Sequence, residues 1–359
     1  DVHNGEIYAL ASHPSFDPNV FSGGIPADLW EELLSDPADP LTDKAVTGQY
    51  PPGSTFKIAV ALAALESGAI NANTRIFCPG FYKLGNHTFY CDTHHGSLDV
   101  VGAIRESCDV FFYETGQRTG IDVIAKMAHR LGLGQKPGLD LPDVASGLVP
   151  TRAWKTQRYR ERWQEGETLI ASIGQGYDLA SPLQLATMAA RVANGGFAVT
   201  PTLLRAIDDA EKTPPPPAPI GLSPAHLALV QKGMEEVVSD PRGTAHSSQI
   251  TTPPYSMAGK TGTAQVRRIT AEMRREGLSR LKLPWKFRDH ALFVGYGPVN
   301  KPAYAAAAIV EHGIWGALTA APLVRGVLLA AMQRDPRLIR TVDAAEREHA
   351  KKKAEENGL

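Results

Sequence analysis

The feature that most constrains this chain is Ser54-Thr55-Phe56-Lys57, which follows Pro51-Pro52-Gly53 and opens an apolar run. The pattern predicts a helix over residues 56–67 that is buried nearly all round. Residues three apart share one helix face, so we expect the Lys57 amine beside the Ser54 hydroxyl. Burial disfavours a charged amine, and a neutral lysine can activate a serine, which is a weak nucleophile alone. Ser54 is therefore a candidate nucleophile and Lys57 its candidate base.

Two further motifs follow in a fixed order, Ser107-Cys108-Asp109 and then Lys260-Thr261-Gly262-Thr263. A Ser-x-x-Lys match alone is weak evidence, but Ser-x-x-Lys, Ser-Asp-Asn and Lys-Thr-Gly together are a known signature of serine acyl transfer. The third motif offers a cation and hydroxyls to a substrate carboxylate, and its glycine would let a ligand backbone approach closely. We expect it on an edge strand, beside which a peptide could add as a further strand.

Composition and periodicity limit the fold. The chain has 359 residues, 43% of them hydrophobic, and a formal net charge of −1, which gives no reason to expect a nucleic-acid partner. No apolar run reaches the ~18 residues of a membrane span. Helical patterns over 99–132, 180–194 and 223–238, and strands over 6–12, 256–266, 291–296 and 304–311, predict an α+β fold. In that fold an antiparallel sheet is flanked by helices, with an inserted helical lobe; residues 72–98 form an irregular insertion.

The whole chain, from about residue 5 to about residue 335, resembles the class B penicillin-binding proteins, the monofunctional peptidoglycan transpeptidases. Within that class it is most similar to penicillin-binding protein 2, the elongation-specific enzyme. Besides the three motifs, the resemblance is carried by residues 5–19, 78–96, 107–113, 145–150, 174–177 and 258–265. It implies the penicillin-binding and serine β-lactamase-like transpeptidase fold. We expect a transpeptidase domain over 1–340, with a sheet lobe at about 1–57 and 220–335, a helical lobe at about 58–212, and a charged tail over 341–359.

The resemblance also implies roles. Ser54 attacks the D-Ala–D-Ala carbonyl of a peptidoglycan stem peptide, and Lys57 serves as base. Ser107 passes protons to the leaving amine, and the backbone N–H of Thr263 joins that of Ser54 in an oxyanion hole. β-Lactams acylate the same serine, and no cofactor takes part in the chemistry.

Members of this class work at the periplasmic face of the bacterial inner membrane with a membrane glycan synthase. An N-terminal anchor and a non-catalytic pedestal normally precede this region. Neither is visible in the sequence, so we expect the chain to be the soluble catalytic part.

Asp109 departs from the signature, which has Asn at this position. An Asn can donate to a substrate amide or to Lys57, whereas an ionised Asp only accepts. Asp109 could pair with Lys57 and stabilise its charged form, which would oppose the role of Lys57 as base. Its role in substrate binding, shared with Thr261, Gly262 and Thr263, is therefore open.

All three cysteines fall in one short region that also holds several histidines. By resemblance to penicillin-binding protein 2, the residues Cys78, Cys91, His95 and Cys108 form a structural zinc site. Three thiolates and one imidazole are a closed tetrahedral set of the kind that structural zinc uses. Two alternatives stay open: a Cys78–Cys91 disulfide with Cys108 free, since an export compartment is oxidising, and three buried, inert cysteines. The sequence leaves open Asp92 in place of Cys91, and His94 in place of His95.

Two other functions share the motifs. A class D β-lactamase also has Ser-Thr-Phe-Lys, but those enzymes are shorter and lack the Cys/His insertion. A non-catalytic β-lactam sensor would acylate and stay acylated, with no activity on peptide donors. Turnover of penicillin and of peptide donors distinguishes the three.

Overall fold

The computed structural model describes residues 1–208, 210–211, 215–267 and 283–339. The predicted charged tail over 341–359 lies outside these residues. The α-helices of the described part are α1 (Ala27–Ser35), α2 (Lys57–Ser67), α3 (Val100–Arg105), α4 (Asp109–Thr119), α5 (Ile121–Arg130), α6 (Arg152–Tyr159), α7 (Glu165–Ala171), α8 (Pro182–Ala193), α9 (Pro224–Ser239) and α10 (Ala321–Arg334). Short 3₁₀ turns lie at Pro18–Phe21, Gly53–Phe56, His246–Ser248 and Trp285–Phe287, and a π-helical turn, Gly316–Ala320, leads into α10.

The strands form one three-stranded sheet and three small ladders. They are β1 (Ile76–Cys78), β2 (Phe81–Leu84), β3 (His87–Tyr90), β4 (Gly96–Leu98), β5 (Ala206–Ile207), β6 (Ala210–Glu211), β7 (Ala258–Ala264), β8 (His290–Gly297) and β9 (Tyr304–Val310). The sheet is antiparallel in the order β7-β8-β9, with Lys260 opposite Val294 and Val294 opposite Ala307. The expected antiparallel sheet flanked by helices is confirmed, and so is the edge position of the strand that carries the third motif.

Helix α2 lies at the centre of the core. Every side chain over residues 57–65 is buried, as the apolar run predicts. The helix ends at Gly68, which takes a left-handed φ of 75° and donates its N–H to the Leu65 carbonyl. Helices α4, α5 and α9 pack against it. The sequence thus places Lys57 at the buried start of the central helix.

Two local predictions are wrong. Residues 6–12 form no strand; Glu6 makes only an isolated bridge to Thr202. Ile7 and Leu10 instead pack on a small apolar cluster, so the weak alternation reflects burial without a pairing partner. Residues 72–98 are not irregular, because β1 pairs with β4 and β2 with β3. The β1–β4 ladder has only three residues a strand and the β2–β3 ladder is largely exposed, so both leave little hydrophobic pattern in the sequence.

One helical stretch, Gly316–Arg334, has the length and mean hydropathy of a membrane span, with 19 residues and a value of 1.3. Arg325 interrupts this stretch, so it forms no continuous apolar run in the sequence. Helix α10 within it packs against β8 and β9. Such a helix also occurs in the cores of proteins that cross no membrane, so we treat it as a sheet-packing helix.

Asp178 is a buried acid that the sequence analysis did not single out. It is 1% exposed, and neither carboxyl oxygen has a hydrogen-bond partner in the part of the chain that the structure describes. Burial raises its pKa well above the usual value because the charged form loses its hydration. Its neighbours Leu179 and Ala180 form isolated β-bridges to Leu148 and Tyr50. Backbone pairing thus holds the Asp178 segment against two other parts of the chain.

We expect Asp178→Asn to raise the thermal stability at pH 7. A carboxyl whose pKa is raised by folding costs stability as the pH rises above its unfolded value of about 4, because the folded state must keep a proton or bury a charge. The melting-temperature difference between variant and wild type should therefore shrink as the pH falls below about 4. Asp140→Asn, at an exposed position, is the control. A difference that is independent of pH would contradict this account.

Candidate active site

The turn that carries Ser54 is fixed by close backbone contacts. Ser54 lies in the 3₁₀ turn Gly53–Phe56, directly before α2. Gly53 has a φ of +53°, and a Cβ there would lie 2.5 Å from the Thr263 carbonyl oxygen. Its N–H donates to the Gly174 carbonyl at 2.8 Å. Only glycine allows this approach, which holds the serine turn against β7.

Lys57 is fully buried, and its ammonium contacts the second motif. Its Nζ donates to the Ser107 carbonyl at 2.8 Å and lies 3.3 Å from Ser107 Oγ. It also donates to Asp109 Oδ1 at 2.5 Å. No hydrogen bond joins Lys57 Nζ to Ser54 among the described residues, although Ser54 and Ser107 line the same cleft. Lys57 is thus tied most directly to Ser107 and Asp109.

Lys260 approaches the same hydroxyl from the sheet. It is fully buried, and its Nζ donates to Ser107 Oγ at 2.8 Å and to the Thr261 carbonyl at 3.1 Å. Burial, with the nearby charge of Lys57, lowers the pKa of Lys260 well below its usual value. Ser107 Oγ therefore lies between two lysine amines, one from the central helix and one from the edge strand.

Asp109 forms the ion pair with Lys57 that the sequence analysis raised as a possibility. Its side chain is 17% exposed, and burial raises its pKa despite the opposing charge of Lys57. The pair places a carboxyl that lines the cleft directly against the Lys57 amine.

Strand β7 supplies one wall of the cleft. Thr261 Oγ1 lies 2.8 Å from the Thr244 hydroxyl, and the Thr263 carbonyl accepts from Gln175 Nε2 at 2.9 Å. A Cβ at Gly262 would lie 2.9 Å from Thr55 Cγ2. This glycine therefore makes room for the protein's own serine turn, and it also lines the cleft, where its expected role in ligand approach stays a prediction.

The cleft between these elements has a volume of about 430 Å³. Sequence reasoning missed several residues that line it, namely Gln175, Arg242, Thr244 and Trp315. Gln175 stands in one of the segments that carry the family resemblance, which could have marked it. Thr244, Arg242 and Trp315 left no signal, because they lie far from every motif in sequence.

The four predicted zinc ligands converge beside this cleft. The candidate ligand atoms of Cys78, Cys91, His95 and Cys108 all lie within 4.8 Å of one another. Cys78 Sγ and Cys91 Sγ are each 3.5 Å from His95 Nδ1. Sulfur and nitrogen ligands of one tetrahedral zinc are about 3.6 Å apart, from bonds near 2.3 and 2.1 Å. The residues present therefore fit the metal, and the three cysteines are free thiols here.

The two alternative ligands lie elsewhere. His94 packs edge-on against Phe77, with ring centroids 5.6 Å apart. Asp92 lines the cleft that also holds Ser54. Neither is in the cluster of ligand atoms.

The comparison with protein families decides the identity. The model of the penicillin-binding protein transpeptidase domain matches residues 1–329. The chain belongs to this family. The transpeptidase domain is 38% identical over 322 residues to peptidoglycan D,D-transpeptidase MrdA of Escherichia coli, covering 87% of this chain. It covers 50% of that relative, so it spans about half the length of the curated relatives it matches.

Solved structures agree with this assignment. The domain is 40% identical to Pseudomonas aeruginosa PBP2 in complex with WCK 5153, with a TM-score of 0.82, covering 93% of this chain and 72% of that one. It is 35% identical to a chain in a structure on the coordination of polymerization and crosslinking by a peptidoglycan synthase complex. There the TM-score is 0.77, and the match covers 92% of this chain and 54% of that one. The predicted transpeptidase fold is confirmed.

Proposed function

We propose that this domain is a D,D-transpeptidase that crosslinks peptidoglycan stem peptides through an acyl-enzyme on Ser54. The observation that carries the proposal is the convergence of two buried lysines on Ser107 Oγ, in the cleft that Ser54 lines. A hydroxyl between two amines suits proton transfer during acyl transfer. The name of the E. coli relative supports the same activity.

In the proposed reaction Ser54 Oγ bonds to the carbonyl carbon of the penultimate D-Ala. The serine proton passes to Lys57 and through Ser107 Oγ to the leaving nitrogen, so terminal D-Ala departs as a neutral amine when the C–N bond breaks. An amine of a neighbouring stem then attacks the ester, forms the cross-link and returns a proton to Ser54. The backbone N–H groups of Ser54 and Thr263 stabilise the oxyanion in both steps.

The substrate, partners and location are part of this proposal. The substrate is a stem peptide ending in D-Ala–D-Ala, and β-lactams acylate the same serine. The partner is a membrane glycan synthase, supported by the similarity to a chain from a peptidoglycan synthase complex. The place of action is the periplasmic face of the inner membrane.

We expect Ser54→Ala to abolish covalent labelling by a fluorescent penicillin, because it removes the attacking oxygen. Mass mapping of the wild-type adduct should locate it at Ser54. Ser67→Ala, at the other end of α2, is the matched control and should label normally. Labelling of Ser54→Ala at the wild-type rate would refute the assignment.

The lifetime of the acyl-enzyme separates a transpeptidase from a β-lactamase. A transpeptidase must keep water from the ester so that an amine can resolve it. We therefore expect the penicilloyl adduct to persist for many minutes in intact-protein mass spectra. Rapid turnover of a chromogenic cephalosporin would instead favour the β-lactamase.

We also propose that Cys78, Cys91, His95 and Cys108 hold one structural zinc ion. The support is the convergence of their donor atoms and the free thiols described above. Such an ion would join four places in the chain: the end of β1 at Cys78, the residue after β3 at Cys91, the residue before β4 at His95, and the start of α4 at Cys108. It would stabilise the wall that carries Ser107 without entering the chemistry.

We expect the purified protein to contain about one zinc per chain, and chelation to lower its melting temperature because the binding free energy contributes to folding. His95→Ala should lose the zinc, whereas His94→Ala, its neighbour outside the cluster, should keep it. Acylation should slow on chelation. Elemental analysis without metal, together with a mass two hydrogens below the reduced value, would establish the disulfide instead.

A further inference from the structure

The stem peptide ends in a carboxylate, and the proposed cleft must neutralise that charge. The sequence assigns this task to the lysine of the third motif. Lys260, however, is fully buried, and its Nζ is directed at Ser107 Oγ and the Thr261 carbonyl. It does not line the cleft. An amine that is buried and bound to internal acceptors is a poor partner for an incoming carboxylate.

Arg242 has the complementary properties. Its side chain is 64% exposed, and it is the one lysine or arginine lining this cleft in the part of the chain that the structure describes. Thr244, two residues further on, bonds the Thr261 hydroxyl at 2.8 Å. Arg242 therefore enters the cleft beside the hydroxyl-bearing end of β7, on the side where the third motif lies.

The guanidinium is held in place from behind. Arg242 Nε donates to Asp240 Oδ1 at 3.1 Å, and Nη2 donates to Oδ2 at 2.9 Å. Its Nη1 has no hydrogen-bond partner within the described residues. Asp240 also accepts from Arg105 Nη1 at 3.3 Å, and Arg105 is only 8% exposed. A planar group gripped along one edge presents its remaining N–H donors in a fixed direction.

The same buried arginine, Arg105, links the 240–244 segment to the turn that carries Ser107. Arg105 donates to Glu106 and Glu236, and its carbonyl accepts from the Thr244 N–H at 3.3 Å. Ser107 follows two residues later in the chain. Glu106, which lines the same cleft, is bound by Arg105, so the Arg242 donors that Asp240 does not bind remain for another anion.

We propose that Arg242 binds the terminal carboxylate of the donor stem peptide, together with the Thr261 and Thr244 hydroxyls, and the equivalent carboxylate of a penicillin. This inference rests on the proposed transpeptidase function and adds a specificity-determining residue to it. An arginine makes paired, charge-assisted hydrogen bonds to a carboxylate. Arg242 thereby selects donors that end in a free acid and places the scissile carbonyl at Ser54.

The test compares acylation by benzylpenicillin and by its methyl ester, which lacks the charge. We expect Arg242→Gln to lower the second-order rate constant for the acid about 10- to 100-fold, the range of a lost hydrogen bond to a charged group. The rate with the ester should change by less than about twofold, since that ligand offers no charge to lose. The rate constant of Arg242→Lys for the acid should fall between those of wild type and Arg242→Gln. Lysine keeps the positive charge but loses the paired, planar N–H donors of the guanidinium.

Arg152→Gln is the matched control, because Arg152 is 66% exposed and pairs with Asp122 outside the cleft. It should leave both rates unchanged. Equal losses for acid and ester in Arg242→Gln, or no loss for either, would overturn the proposal. An exposed ion pair contributes little stability, so the variants should have nearly the melting temperature of the wild type. A wild-type protein that fails to react with benzylpenicillin at all would refute the acyl-transfer function itself. That result is distinct from a change in the ratio of the acid and ester rates.

Discussion

The arrangement of the site depends on two buried lysines that share one hydroxyl oxygen. Lys57 and Lys260 both lie fully inside the protein, and both reach Ser107 Oγ. A buried ammonium is costly unless it is paired, and the direct ion pair of Asp109 is with Lys57. Burial, with the nearby charge of Lys57, lowers the pKa of Lys260 well below its usual value. The two amines therefore have different partners, a carboxylate for Lys57 and a hydroxyl with a backbone carbonyl for Lys260.

This cluster is assembled by backbone contacts that leave no space for side chains. Gly53, Gly174 and Gly262 bring the serine turn, the 174–177 loop and β7 together, and an added Cβ at any of them would lie within 2.9 Å of a neighbour. Interiors are packed too tightly to absorb such a shift elsewhere. The glycines therefore fix the distance between helix α2 and the edge strand, and with it the distance between the lysines.

The sequence was most informative where a motif and a periodic element coincide. The apolar run after Lys57 predicts its burial, and the strand over 256–266 correctly predicts the edge that carries Lys260. It was least informative where function depends on contacts between distant segments. Arg242 lies 135 residues after Ser107, and its position depends on an ion-pair chain through Asp240 and Arg105 that has no sequence period. Asp178 was missed for a related reason, since a lone Asp in a loop normally indicates an exposed turn.

The turn around Ser107 shows how these constraints combine. Ser107 has a φ of 57°, a left-handed conformation that costs a non-glycine residue about 1 kcal/mol or more. The turn is held by several contacts: the Ser107 carbonyl accepts from Lys57, and the Cys108 N–H donates to the Ala103 carbonyl at 3.0 Å. Cys108 Sγ also accepts from the Phe111 N–H and thereby caps α4. Because Ser107 and Cys108 are consecutive, a ligand that fixes the thiol also fixes the backbone that aims the hydroxyl. The cysteine cluster and the lysine pair therefore constrain two consecutive residues of one turn, Cys108 and the strained Ser107.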